Sequence, residues 1–194
     1  LNNSKPFDPN TMFHTPQGKY ECIHYAMMFP NLPAPFNFLS LLTVVGQPLV
    51  KLFRNDYLIK TTDIDTANVL VGTAVGTPEH LNGYSVQHDC ELVTNGSSLR
   101  FGNDLLLEGK YPNFHAKREG HDFNLDLKIR ATDKVANFVD FTAGLYQHLS
   151  LLCEYEGFLE YQGKKTEIKG LCTYEYARGM KANLPIRFFT DASH

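Results

Sequence analysis

Tyrosine, histidine and cysteine recur in this chain at spacings of two or four residues, which puts them on one face wherever the backbone is extended. Tyr84, His88 and Cys90 form one such series, Tyr174 and Tyr176 a second, and Cys22 and His24 a third. A buried histidine beside a tyrosine or asparagine can move a proton in a dry pocket, typically worth about 10²–10⁴-fold in rate. The same groups set in an apolar wall fix the orientation of a mainly hydrophobic ligand with one or two polar atoms. The plainer alternative is a packed core whose polar groups satisfy one another or trapped water. The candidate ligand-binding set is Tyr84, His88, Asn103, Tyr155, Tyr174, Tyr176 and His24, all expected on inward faces. No catalytic residue is assigned.

Metal and cofactor chemistry find less support. Cys22-x-His24 and His88-x-Cys90 each place two ligating side chains on one strand face, and the four together would suit zinc. Closed zinc sites more often use wider spacing, and nothing in the sequence makes those strands neighbours, so the expected metal is none. There is no G-x-S-x-G, phosphate-binding loop, dinucleotide fingerprint or C-x-x-C, and no cofactor is expected. GTAVG at 72–76 reads as a strand with small residues, and His80, His115, His121 and His148 as loop or outer-face residues.

The elements that must position these groups are short strands. Leu149 to Arg178 reads as a hairpin turning at Gln162-Gly163, with Cys153 opposite Cys172, Glu156 opposite Lys169 and Glu160 opposite Lys165. Its one face is apolar with tyrosine hydroxyls and its other is charged, as expected of a strand pair between core and water. Tyr84 to Arg100 reads as a second hairpin turning at Asn95-Gly96, a strong hairpin signal. There Cys90 faces Phe101, Leu92 faces Leu99, Glu91 faces Arg100 and His88 faces Asn103. Phe123 to Ala131 alternates almost perfectly, with Phe123, Leu125, Leu127 and Ile129 inward.

Tyr20–Met28, Leu39–Val45, Leu49–Phe53, Ala67–Val75, Leu105–Leu107 and Phe114–Lys117 supply further strands, and Tyr57–Thr61 a short edge or continuation. Thr132 to Tyr146 reads as a strand or an irregular crossing with a helical turn. FPNLPAPFNF, aromatic but rich in proline, is barred from a central strand and is expected over an opening. These boundaries divide the chain into an arm at 1–19, a barrel at 20–180, and a closing strand or linker at 181–194. About ten strands with no long amphipathic helix predict an all-β fold, an antiparallel barrel or barrel-like sandwich. Closure is favoured because the edges carry little protective charge or proline.

With 194 residues, 43% hydrophobic and 20% charged, the composition is that of an ordinary soluble globular protein. The 18 basic against 21 acidic residues give a formal charge of −3, and no basic run argues for nucleic acid. No apolar stretch reaches the roughly 20 residues of a membrane helix. No signal peptide is visible, so the cytoplasm is the expected compartment, although Leu1 in place of Met leaves room for a processed amino end. The four cysteines are too few and scattered for a disulfide scaffold, and free buried thiols are expected. Only Cys153 and Cys172, directly opposed, offer a cross-strand alternative.

The pattern G-x-x-x-x-x-G-x(6)-G-x-x-x-x-E, from Gly157 through Gly163 and Gly170 to Glu175, resembles the end of a barrel domain in the lipocalin-like carotenoid hydratase group. That group includes hydroxyneurosporene-synthase-like proteins and related pericyclases and terpenoid cyclases. SLRFGNDLLLEGKYP, RATDKV and SLLCEYEG are more closely similar to a family of uncharacterised bacterial proteins. The resemblance implies a lipocalin-like barrel that binds a small hydrophobic, lipid- or isoprenoid-like molecule, with cofactor-free hydration, cyclisation or isomerisation as the chemistry it would support. It also implies a two-barrel plan of which this chain supplies half, so a missing second domain or a homodimer belongs to the expectation. The chain departs from the group after the last glycine, where Thr173, Tyr174, Glu175 and Tyr176 stand and register turns Glu175 outward. The competing expectation is a non-catalytic structural or interaction domain with a filled core.

Overall fold

A computed structural model describes residues 6–46, 56–76, 80–140 and 146–180 of the chain. Eleven strands follow in order: β1 (Tyr20–Phe29), β2 (Leu39–Val45), β3 (Thr66–Thr73), β4 (Leu81–Ser85), β5 (Cys90–Leu92), β6 (Ser98–Phe101), β7 (Leu105–Lys110), β8 (Asn113–Glu119), β9 (Phe123–Asp140), β10 (Tyr146–Tyr161) and β11 (Lys164–Met180). All pair antiparallel in one sheet of order β4-β3-β2-β1-β11-β10-β9-β8-β7-β6-β5. Because β1 pairs with β11, the free edges are β4 and β5, which are consecutive in the chain. The sheet therefore curls into a nearly closed barrel whose seam lies at the turn Val86–Asp89. No helix among the described residues is long and apolar enough to cross a membrane.

The hairpin register read from the sequence holds along its whole length: Cys153 pairs with Cys172, Glu156 with Lys169 and Glu160 with Lys165. The pairs Cys90–Phe101, Glu91–Arg100 and Leu92–Leu99 hold as well. That second ladder stops there, however. The stretch from Tyr84 is not its outer strand, because β4 pairs with β3 instead and the chain turns before Cys90. After Ala131 the chain continues as strand to Asp140, with a bulge where the Thr132 hydroxyl donates to the Leu152 carbonyl at 2.8 Å. That bulge lets β9 bend around the core. Asp56–Leu58 is one 3-10 turn rather than a strand. The readings at Leu49–Phe53 and 181–194 lie outside the described residues.

Alternation sorts side chains between wall and core. Ile23, Tyr25, Met27 and Phe29 of β1 meet Phe101, Leu107, Leu127, Leu151, Tyr174 and Tyr176 inside. Both ends of this core are covered. At one end the residues before β1 bring in Phe7 and Phe13, with Phe13 4.8 Å from Tyr176 and 5.8 Å from Tyr174 (ring centroids). At the other, the proline-rich segment places Phe36 6.0 Å from Phe123 and 6.2 Å from Tyr161, as its composition predicts. The Phe36 carbonyl also accepts a hydrogen bond from Ala74 N–H at 2.9 Å, tying this cap to the end of β3.

Candidate functional site

Three of the expected inward groups line the barrel interior. Tyr174 stacks on Phe114 at 4.4 Å, Tyr176 lies 5.4 Å from Tyr25, and Tyr155 packs edge-on against Phe29 at 4.9 Å. Burial pushes the hydroxyls of Tyr174, Tyr176 and Tyr155 upward, so they are neutral hydrogen-bonding groups. The Tyr25 hydroxyl donates to the His14 carbonyl at 2.8 Å. His14 then donates from Nδ1 to the Thr15 carbonyl at 2.8 Å and accepts at Nε2 from Arg178 at 3.1 Å. Burial and the guanidinium hold this imidazole below its ordinary value, against the Thr15 bond. The arm before β1 is thus stitched into the mouth by side chains.

The remaining expected groups lie elsewhere. His88 sits in the turn between β4 and β5 and is exposed, and Asn103 is exposed in the turn before β7; neither faces the core. The expected opposition of these two fails because the ladder ends at Cys90 and Phe101. Tyr84, half-buried at the seam, donates to Asp104 Oδ2 at 3.2 Å. Burial and the Asp104 charge push its hydroxyl upward. Asp104 Oδ1 lies 2.7 Å from Nε of Arg118, whose side chain is 1% exposed. Arg118 and Asp104 were not legible as a pair, being fourteen positions apart on a strand and a turn.

His24 is the larger reversal. It lies on the outer face of β1, with Cys22, Ala26 and Met28, while the opposite face fills the core. Across β1, β11 and β10 this outer face is arranged in rows. Cys22, Gly179 and Tyr146 form the first, His24, Ala177 and His148 the second, and Ala26, Glu175 and Ser150 the third. The methyl of Ala177 leaves room above it, so the His24 and His148 rings approach to 6.1 Å, nearly perpendicular. His148 Nε2 is 3.4 Å from Glu175 Oε2. Burial, then the neighbouring His148, lower His24 to about 4, opposed by Glu175 and a hydrogen bond to the Thr43 backbone. Burial lifts Cys22 and Tyr146 to about 12 each, the latter helped by Cys22 and Glu175. The four-ligand zinc arrangement weighed for Cys22, His24, His88 and Cys90, against which no metal was the expectation, does not form, since β1 and β5 are far apart in the sheet.

One wide depression of about 640 Å³ lies outside the barrel, over the β9–β10–β11 surface. Its acids Asp126, Glu156 and Glu167 alternate with Lys128, Lys165 and Lys169, so it offers no net charge to a ligand.

Fold and site together define the class: a nearly closed antiparallel barrel, capped by aromatic side chains at both ends, with a histidine–glutamate cluster on its outer wall. The chain belongs to the family described as Family of unknown function (DUF6670), which matches residues 42–192. A crystal structure of a Nitrosomonas europaea protein described as a candidate AttH shares the fold, with a TM-score of 0.56 and 13% identity over 93% of this chain. This chain spans 59% of that protein's length. No curated protein matches the sequence.

Proposed function

We propose that this chain is a binding barrel that takes a small hydrophobic, lipid- or isoprenoid-like molecule into the mouth lined by Tyr174, Tyr176, Phe114 and Tyr111. The observation that carries the reading is the position of Phe7 and Phe13. Both rings fill apolar space between the strands, Phe7 4.7 Å from Tyr111 and Phe13 6.3 Å from Phe114, yet neither belongs to a strand. In this reading they stand where a ligand would, and a molecule of similar shape gains the same apolar burial at about 25 cal/mol per Å² by displacing them. The tyrosine hydroxyls and the His14–Arg178 pair supply the few polar contacts such a site needs. Catalysis is not part of the proposal, since burial keeps these tyrosines neutral and poor as acids. The resemblance to the carotenoid hydratase group bears on the type of ligand, not on a reaction.

The second reading is a filled scaffold whose role lies on its surface, favoured by Phe36 closing the opposite end. Binding of a fluorescent fatty acid by the full chain separates the two. The ligand reading expects saturable binding, about tenfold tighter in Phe13→Ala, where the ring no longer competes, and unchanged in Phe36→Ala. Absence of saturable binding in both the wild type and Phe13→Ala establishes the scaffold instead.

A further inference from the structure

We propose that His24, His148 and Glu175 form a binding site for one divalent transition-metal ion, zinc by ligand type, on the outer wall of the barrel. One ligand atom from each residue lies within 4.8 Å of the others, and all three side chains are half-buried. Two imidazoles and one carboxylate are a ligand set that favours zinc and its first-row neighbours over calcium or magnesium. In a tetrahedral site with bonds near 2.0–2.1 Å, ligand atoms stand about 3.4 Å apart. His148 Nε2 and Glu175 Oε2 already have that separation, 3.4 Å. With all three ligand atoms within 4.8 Å of one another, a small side-chain movement closes the set.

One further observation points to an ion rather than to an ordinary polar contact. Nε2 of His148 is buried and makes no aligned hydrogen bond, despite the carboxylate beside it. The scaffold is rigid where it matters: the ligands come from three adjacent strands, and Ala177 between the histidines keeps the space above it open. The side chains of His148 and Glu175 remain 24% and 22% exposed, so the cluster lies close to the surface. This site is independent of what the barrel mouth binds.

The test is titration of the full chain, stripped with a chelator, using zinc or cobalt(II) alone. The expected result is one equivalent bound, a rise in melting temperature, and cobalt absorption typical of four- or five-coordination by nitrogen and oxygen. His148→Gln and Glu175→Gln should each weaken binding by at least about tenfold. Both positions are partly exposed, so the metal-free melting temperatures should stay near wild type. Cys22→Ser should bind as wild type does. Absence of saturable binding at one equivalent, wild-type affinity in both ligand variants, or loss of binding in Cys22→Ser would each overturn the site.

Discussion

Arg118 and Asp104 meet at 2.7 Å beside the seam between β4 and β5, where the described strands form no ladder of backbone hydrogen bonds. Asp104 also accepts from Tyr84 at 3.2 Å and from Asn82 at 3.3 Å, both on β4. Arg118 in turn donates to the Phe123 carbonyl. One carboxylate therefore ties edge strand β4 to β8 and to the turn before β7, replacing the missing ladder with side chains. A second set works beside it, where Asp65 accepts from Ser85 at 2.7 Å and from Gln87 N–H at 2.8 Å.

Breaking the first link should be severe. Arg118→Met leaves the Asp104 charge buried without its partner and should cost about 3–5 kcal/mol in urea unfolding. Arg100→Met removes only an exposed contact to Glu91 at 3.7 Å, and should cost less than about 0.5 kcal/mol. Similar losses in the two variants would refute this account of closure.

His115 should make stability depend on pH in the basic direction. Burial alone would lower its pKa, but hydrogen bonds to Asp126 at 2.8 Å and Glu108 at 3.1 Å outweigh it, and the net shift is upward. A raised folded value means the contribution is full below the unfolded value, about 6.5, and fades as pH rises through the folded one. Because these groups are partly exposed, the effect should be roughly 0.5 kcal/mol. His115→Gln should be destabilised relative to wild type near pH 5.5 and match it near pH 9.

The thiols should be unreactive in the folded chain. Cys153 and Cys172 face each other in the core, and burial lifts Cys22 and Cys90 to about 12. Thiolates are the reactive species, so a disulfide-exchange reagent should label the native protein slowly at neutral pH. All four cysteines should titrate at once in denaturant. Rapid native labelling would contradict the burial described.

Two glycines of the same hairpin should respond differently. A Cβ on Gly157, where φ is +150°, would stand 2.0 Å from the Asp126 carbonyl oxygen across the strand pair, whereas one on Gly163 meets nothing within 4 Å. Gly157→Ala should destabilise by more than about 2 kcal/mol through forced backbone movement. Gly163→Asn, in the left-handed turn, should cost only a few tenths. Thermal melts of the two variants decide.

The long hairpin was legible because its signals agree: a tight turn at Gln162-Gly163, one charged face and one apolar face. A slip of one residue would have buried Glu154 and Glu156. The covering role of Phe36 was legible from prolines that forbid a ladder position. His88 was misplaced because alternation was carried beyond the residues that pair, into a turn where period two has no meaning. His24 was misplaced for another reason. On β1 and its neighbours the outer face is also shielded, with Ala26, Val44 and Asn68 all buried, so hydrophobicity does not distinguish inside from outside.

By itself, then, the order of residues determined the all-β class, the hairpin registers and the identity of most wall and core positions. These depend on turn chemistry and on alternation between neighbours a few residues apart. Tertiary structure alone decided which face of β1 looks inward, that Phe7 and Phe13 would fill one mouth, and that His24, His148 and Glu175 would converge. Those outcomes join residues more than a hundred positions apart through the β1–β11 pairing, and no local pattern encodes the closing of a sheet upon itself.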